Sequence, residues 1–114
     1  FAPDFVFHDT NGSTRSFDDL QAYFASMRAA FVHLTIRRGI IVVEDDMVSC
    51  QTWIEGDFTS TFTHSPVGPL EPNGQHVVFA LHNFFRYDAQ GRLAEEWIQT
   101  DRHSTLTQLG ALGA

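Results

Sequence analysis

Asp101 is the first residue to consider for chemistry, because it ends a predicted strand in the pattern Trp97-x-x-x-Asp101. A carboxylate in this place is either turned outward or held in a pocket. In an apolar pocket, desolvation raises the pKa of a carboxyl and lets it exchange protons near neutral pH. At the surface, the same residue can be the N-cap of a C-terminal helix, a position that favours Asp. The residues alone leave both interpretations open.

Segment 77–87 carries two further polar candidates on opposite faces of a predicted strand, because side chains alternate along a strand. Asn83 belongs to a row that is otherwise almost wholly apolar and that we predict to face inward: Val77, Phe79, Leu81, Asn83, Phe85 and Tyr87. A buried amide needs partners, so Asn83 either satisfies backbone groups or offers a hydrogen bond at a pocket wall. His82 is either a surface imidazole or a general base that shares a proton with Asp101.

The last predicted strand has two faces, and its parity does not tell which one points inward. Asp101 shares a face with Trp97 and Gln99 if the strand is regular. The alternate face holds Glu96, Ile98 and Thr100. The turn Asp88-Ala-Gln-Gly91 permits more than one register, and a slip of one residue exchanges the two faces.

A helix and a series of strands must position these residues. Ser16 followed by Asp19 predicts a helix start. The apolar residues that follow recur at helical spacing and form one stripe: Leu20, Tyr23, Phe24, Met27, Ala30 and Phe31. The stripe predicts core packing. The polar end of Tyr23 can nevertheless enter a pocket, since Tyr joins an apolar body to a hydroxyl.

After Phe31 the pattern becomes typical of strands. Strands are predicted over 34–44, 47–63, 75–87 and 92–102, with a turn at Asp45-Asp46, a bulge or bend at Gly56-Asp57 and a Pro- and Gly-rich loop over 65–74. One helix followed by consecutive strands predicts an α+β fold with a mostly antiparallel, curved sheet. Strands with apolar residues on both faces also predict a homodimer.

Size and composition narrow the class of protein. The 114 residues fit one domain over 1–114, and the net charge of −7 disfavours nucleic acid or an anionic membrane as partner. The single cysteine, Cys50, cannot form an internal disulfide, so we expect a cytoplasmic protein. The six His lack metal-ligand spacing, and no phosphate-binding glycine loop occurs, so we expect neither a metal nor a cofactor.

The C-terminal block resembles that of the SnoaL-like polyketide cyclases, in the nuclear transport factor 2-like superfamily. The matching residues are Phe85-Arg86-Tyr87, Gly91, Glu95-Glu96-Trp97, Asp101 and Gln108-Leu109-Gly110. The N-terminal half adds Phe7-His8-Asp9, Arg28-Ala29-Ala30-Phe31 and Glu55-Gly56-Asp57. The resemblance covers most of the chain. It implies a cone-like sheet wrapped around helices, an internal pocket and a further N-terminal helix before Phe1.

The resemblance also implies roles for individual residues. It makes Asp101 the catalytic acid/base, with Trp97 as an apolar wall, and places Asn83 near the protonated acid of ketosteroid isomerases. We therefore expect Asp101, His82 and Asn83 to be catalytic. We expect a small apolar or polycyclic molecule to contact Trp97, Tyr23, Phe79, Phe85 and Gln99.

Three functions follow as hypotheses from this likeness and from the residues. The first is a cofactor-independent cyclase or isomerase acting on an apolar carbonyl compound, with Asn83 or His82 holding the developing oxyanion. The second is a non-catalytic ligand-binding or dimerisation module of the same fold. The third is an epoxide hydrolase, which the superfamily permits, although the middle strands lack the Arg-x-Asp that such relatives use.

Overall fold

Two helices start at caps that the local sequence supplies. In the computed structural model, which describes residues 1–111, helix α1 spans Phe17–Ala30 and helix α2 spans Arg102–Gln108. The Ser16 hydroxyl accepts a hydrogen bond from the backbone N–H of Asp19, and the Asp19 carboxylate accepts one from Ser16. This capping box satisfies two N–H groups that a helix start leaves without partners and confirms the predicted helix. Among residues 1–111, no helix has the length and hydrophobicity needed to cross a bilayer.

Six strands form one curved sheet, and their bounds are β1 Val6–His8, β2 Thr14–Ser16, β3 Phe31–Glu44, β4 Met47–Phe58, β5 His76–Tyr87 and β6 Leu93–Thr100. Their spatial order is β2-β1-β6-β5-β4-β3. Neighbouring strands run antiparallel, except that β1 lies parallel to β6. The chain is therefore α+β, as predicted, with β5 and β6 adjacent.

The apolar core lies between α1 and the inner face of the sheet. Its largest cluster joins α1 residues to aromatic side chains from the strands and from the segment after β4: Met27, Ala30, Phe31, Ile54, Phe58, Phe62, Val77, Phe79 and Leu109. A second cluster at the start of the chain contains Phe5, Phe7 and Leu20. The inner row of β5 is buried at Val77, Phe79 and Asn83, which confirms the predicted inward face of that strand.

The predicted bulge at Gly56-Asp57 is wrong, because the irregularity lies in the partner strand. Gly56 and Asp57 pair regularly with β5. Strand β3 instead inserts an extra residue between Val32 and Thr35, where His33 has a φ of 55°. A second shift in β3 lies between Arg38 and Ile41. Such bulges increase the local bend, which curves this edge of the sheet around the core.

Strand β4 is shorter than predicted, since it ends at Phe58 rather than at Thr63. The chain turns there because the backbone N–H groups of Thr59 and Ser60 donate to the carbonyl of Ala30. Phe62 then forms an isolated bridge with Leu70, which closes the predicted loop over 65–74. Phe62 is fully buried, so this turn brings an aromatic side chain into the core.

Candidate active site

A cavity of about 480 Å³ opens between the inner face of the sheet, helix α1 and the N-terminal segment. Its wall is mostly apolar and includes Phe7, Phe24, Met27, Ile54, Phe62, Phe79, Leu81, Phe85 and Ile98. A few polar side chains interrupt this surface, chiefly Asp9, Arg15, Tyr23, Arg38, Thr52, Asn83, Glu96 and Arg102. An apolar hollow with a small number of convergent polar groups is the usual form of a small-molecule site.

Glu96 is the cavity residue with the most perturbed acidity. It projects from β6 opposite Phe85, on the inner face of the sheet. Desolvation raises its pKa to about 7, although a hydrogen bond from Asn83 and the charge of Arg38 both act to lower it. A carboxyl with this pKa populates both protonation states near neutral pH, which is what a proton shuttle needs.

A directed chain of hydrogen bonds leads from the sheet edge to Glu96. The guanidinium of Arg38 donates to the hydroxyl of Thr52 at 2.5 Å, and Thr52 donates to the amide oxygen of Asn83 at 2.5 Å. Because arginine can only donate, the Thr52 hydroxyl accepts a hydrogen bond from Arg38 and uses its own O–H to donate one to Asn83. The amide nitrogen of Asn83 is thereby turned toward Glu96 and donates to its Oε2 at 2.9 Å.

A second polar group lies where the N-terminal segment meets α2. The buried carboxylate of Asp9 accepts from Arg102 Nη2 at 2.8 Å and from Arg15 Nη2 at 3.3 Å. It also accepts from the backbone N–H of Thr10 at 2.6 Å. The three charged residues come from the loop after β1, from β2 and from the first turn of α2. Each of them lines the cavity, so the fold gathers this group from distant parts of the chain.

Tyr23 stands beside this charged group on α1. Its ring lies 5.0 Å from the Arg15 guanidinium carbon, a cation–π distance. Burial raises the pKa of the Tyr23 phenol, while Arg15 and Arg102 act in the opposite direction. Tyr23 therefore keeps its proton at neutral pH and can donate a hydrogen bond into the cavity.

A comparison of the sequence with models of protein families identifies the family of this chain. The family model of the SnoaL-like polyketide cyclases matches residues 1–109. The chain belongs to this family. No curated protein matches the chain. SnoaL-like members share a fold that hosts several reactions, so the chemistry has to be argued from the cavity itself.

Several solved structures resemble this one over nearly its whole length. AclR from Streptomyces galilaeus, a candidate hydroxylase, superposes with a TM-score of 0.82 at 23% identity, over 99% of this chain and 80% of AclR. A candidate SnoaL-like polyketide cyclase from Jannaschia sp. CCS1 superposes with a TM-score of 0.79 at 21% identity, over 97% of this chain and 74% of the cyclase. IdmH from Streptomyces antibioticus, a candidate polyketide cyclase, superposes with a TM-score of 0.72 at 25% identity, over 96% of this chain and 81% of IdmH.

Four of the residues expected from the sequence line the cavity of this SnoaL-like protein: Tyr23, Phe79, Asn83 and Phe85. Asn83 is only 2% exposed. Its partners are side chains, namely Thr52, Glu96 and, more distantly, Arg38 at 3.5 Å. The structure therefore puts the predicted amide at the pocket wall, and its part in catalysis stays a prediction.

The other four expected residues lie elsewhere, on the outer face of the sheet: His82, Trp97, Gln99 and Asp101. Trp97 stacks on the His8 ring at 4.9 Å between centroids, and Gln99 accepts from the Thr10 hydroxyl. His82 and Asp101 are exposed and border a separate, shallow hollow with Gln51 and Trp53. The prediction that these four residues belong to the cavity is wrong.

Asp101 acts instead as the cap of α2. Its carboxylate accepts from the backbone N–H of Ser104 at 3.0 Å, the bond expected of an N-cap. The reason is register: Phe85 pairs with Glu96 and Phe84 with Trp97, so the even-numbered residues of β6 follow the inner row of β5. The register therefore places Glu96, Ile98 and Thr100 on the cavity side of β6, and Trp97 and Gln99 on the outer side.

The polar residues that sequence reasoning did not place in the site are Asp9, Arg15, Arg38, Thr52, Glu96 and Arg102. For Glu96 the sequence showed only its membership of one of the two faces of β6, which parity left open. The observed register, with Phe85 opposite Glu96, turns that face inward. No local pattern connects Asp9 with Arg102, because 93 residues separate them in sequence.

Proposed function

We propose that this SnoaL-like protein is an acid/base enzyme that acts on an apolar or polycyclic carbonyl compound bound in the cavity, with Glu96 moving the proton. The observation that carries the proposal is the Glu96 carboxyl, which lies in a mostly apolar cavity wall, accepts a hydrogen bond from Asn83 and has a pKa raised by desolvation to about 7. The proposal assigns proton transfer to Glu96 in place of Asp101, whose carboxylate caps a helix.

In the proposed reaction, the Glu96 carboxylate removes a proton from the carbon next to the substrate carbonyl. The electron pair of the C–H bond moves toward the carbonyl oxygen and forms an enolate. Tyr23, protonated and in the same cavity, donates a hydrogen bond to the developing oxyanion. In ring closure, the enolate carbon attacks a second carbonyl carbon of the substrate, the π pair of that C=O moves to its oxygen, and the resulting alkoxide takes the proton from Glu96. In isomerisation, the enolate instead takes that proton back from Glu96 at another carbon.

Asn83 sets the acidity of Glu96 in this scheme. Its N–H bond favours the ionised carboxyl, whereas desolvation favours the neutral one. The balance of the two effects leaves the pKa of Glu96 at about 7, so both the carboxylate and the neutral carboxyl are present near neutral pH. Arg38 and Thr52 hold the amide in the orientation that gives this bond.

The proposal is tested with 2-tetralone, a neutral bicyclic ketone, by following exchange of its α-hydrogens in D₂O by NMR. We expect the wild-type protein to accelerate exchange over buffer. Glu96→Gln should slow the accelerated exchange by about 10²–10⁴-fold, the usual share of a general base. Glu95→Gln is the matched control, because Glu95 is the adjacent carboxylate and bonds His8 and Arg86 outside the cavity wall. Equal rates for both variants would reject the assignment to Glu96, and ligand binding without exchange would favour a binding module.

We also propose that the protein forms a homodimer through the outer face of the sheet. One row of paired residues on that face runs Val42, Ser49, Phe84 and Trp97, and it crosses four adjacent strands, β3 to β6. Val42 is 58% exposed and Phe84 is 50% exposed. A second copy that covers this row would remove two large apolar side chains from water, which favours association.

A further inference from the structure

The charges of this protein are unevenly divided between its cavity and the rest of the molecule. The chain has seven basic side chains, all Arg, and fourteen acidic ones. Three of the seven basic residues line the cavity, Arg15, Arg38 and Arg102, against only two of the fourteen acidic residues, Asp9 and Glu96. The wall therefore carries a net charge of +1, or +2 when Glu96 is protonated, inside a protein of net charge −7.

The excess positive charge is concentrated at Asp9. One guanidinium is enough to neutralise its carboxylate, yet Arg15 and Arg102 both bond to it. Each arginine uses Nη2 for this bond, out of a group that has five N–H donors. The side chains of Arg15 and Arg102 are 29% and 31% exposed, whereas that of Asp9 is 7% exposed. Both arginines line the cavity and are more exposed than the carboxylate that they bind.

Glu96 borders the same cavity as the arginine pair, and this cavity has a volume of about 480 Å³. Phe7 lies beside Glu96 in the parallel pairing of β1 with β6, and Asp9, which holds both arginines, follows Phe7 by two residues. One bound molecule can therefore contact both the arginines and Glu96.

We infer that the cavity selects ligands with an anionic group, such as a carboxylate, which binds Arg15 and Arg102, while the apolar body extends along the aromatic wall toward Glu96. Guanidinium groups bind oxyanions through paired, charge-assisted hydrogen bonds, and a low-polarity wall strengthens them. The inference rests on the proposed function for the fate of the ligand, since Glu96 would act on the molecule that the arginines bind. Its binding claim stands on the arginines alone.

The test uses two fluorescent probes with the same body, 8-anilinonaphthalene-1-sulfonate, which is an anion, and N-phenyl-1-naphthylamine, which is neutral. Fluorescence titration should show that the wild-type protein binds the anion at least about tenfold more tightly than the neutral probe. Arg102→Gln should weaken binding of the anion by about 10- to 100-fold, the loss expected for a charge-assisted hydrogen bond, and should change binding of the neutral probe by less than about twofold. Arg28→Gln, which removes one exposed charge from the last turn of α1, is the matched control and should change neither.

Two further measurements keep the test decisive if Arg102→Gln is poorly folded. Arg15→Gln should give the same selective loss. For the wild-type protein, added NaCl should weaken binding of the anion and leave the neutral probe unaffected. Equal affinities of the wild type for the two probes, or equal losses for both probes in the arginine variants, would overturn the inference.

The outcome is separable from that of the proposed function, because probe binding involves no turnover. A protein that exchanges the hydrogens of 2-tetralone but shows no preference for the anion refutes the anion site and leaves the proposed function intact. A protein that prefers the anion through Arg102 but exchanges the α-hydrogens of neither 2-tetralone nor a carboxylate-bearing 2-tetralone supports the anion site and refutes the proposed reaction.

Discussion

Asn83 Nδ2 lies 2.9 Å from Glu96 Oε2, and this contact joins the proposed proton shuttle to a buried amide of the cavity wall. The residues are diagonal neighbours across adjacent strands, since Asn83 pairs with Ile98 and Glu96 with Phe85. Diagonal neighbours in a sheet are within reach of long side chains. The hydrogen-bond chain from Arg38 through Thr52 fixes the direction of the contact, so the amide donates and the carboxyl accepts.

The first prediction concerns stability and Glu96. Because the pKa of Glu96 is raised from 4.5 to about 7 in the folded protein, the folded state binds its proton more tightly than the unfolded state. This contribution to the free energy of unfolding is fully present below about pH 4.5 and is lost as pH rises through about 7. Glu96→Gln should therefore raise the free energy of unfolding at pH 8 by about 1–3 kcal/mol relative to wild type.

Denaturant unfolding of both proteins at pH 4 and pH 8 measures this effect. The difference in the free energy of unfolding between wild type and Glu96→Gln should be much smaller at pH 4, where Glu96 of the folded wild type is neutral. Glu95→Gln is again the control. It should not show the gain at pH 8, because hydrogen bonds to His8 and Arg86 lower the pKa of Glu95. A Glu96→Gln protein less stable than wild type at pH 8 would contradict a desolvated carboxyl.

The second prediction concerns Asn83 as a positioning residue. Asn83→Leu keeps the volume but removes the N–H that favours the ionised form of Glu96, so the pKa of Glu96 should rise further. The pH profile of 2-tetralone exchange should shift to higher pH, with its plateau reached later than in wild type. Asn73→Ala, in the loop before β5 and outside the cavity wall, should leave the profile in place. An unshifted profile for Asn83→Leu would show that the contact does not control the acidity of Glu96.

The third prediction concerns Asp101. Asp101→Ala removes the carboxylate that accepts from Ser104, so it should lower the free energy of unfolding by about 0.5–2 kcal/mol. Asp101→Asn retains a capping oxygen and should lose less. Exchange of 2-tetralone should be retained in both, because Asp101 lies outside the cavity wall. A loss of exchange in Asp101→Asn at unchanged melting temperature would return the catalytic role to Asp101.

The fourth prediction concerns assembly. Phe84→Glu places a charge in the centre of the exposed outer row and should convert a dimer into a monomer, as measured by light scattering at high micromolar concentration. Val67→Glu adds the same charge to a side chain of similar exposure, 57%, in the loop over 65–74, and should leave the dimer intact. A wild-type protein of monomer mass at this concentration would refute the dimer.

Local patterns in the sequence predicted helix α1 and strands at the positions of β3 to β6, but not the short strands β1 and β2 or the end of β4. The capping pair Ser16 and Asp19, the helical stripe that follows and the alternation in 77–87 each depend on neighbours within a few residues. Such short-range signals predicted α1, the inward row of β5, the loop over 65–74 and the adjacency of the last two strands. The resemblance to the SnoaL-like polyketide cyclases, seen mainly in the C-terminal block, agrees with the match of that family's model to residues 1–109.

Only the tertiary structure decided which residues form the site. The side-chain period of a strand is two, so a shift of one residue in the pairing of β6 would have put Asp101 and Trp97 inward and Glu96 outward. The observed register, with Phe85 opposite Glu96, was not encoded in the turn between them in any pattern we could recognise. Long-range contacts set the rest: Asp9 meets Arg102 across the parallel β1–β6 pair, and Arg38 reaches Asn83 across β4. Desolvation, which raises the pKa of Glu96, arises only when the curved sheet and α1 enclose the cavity.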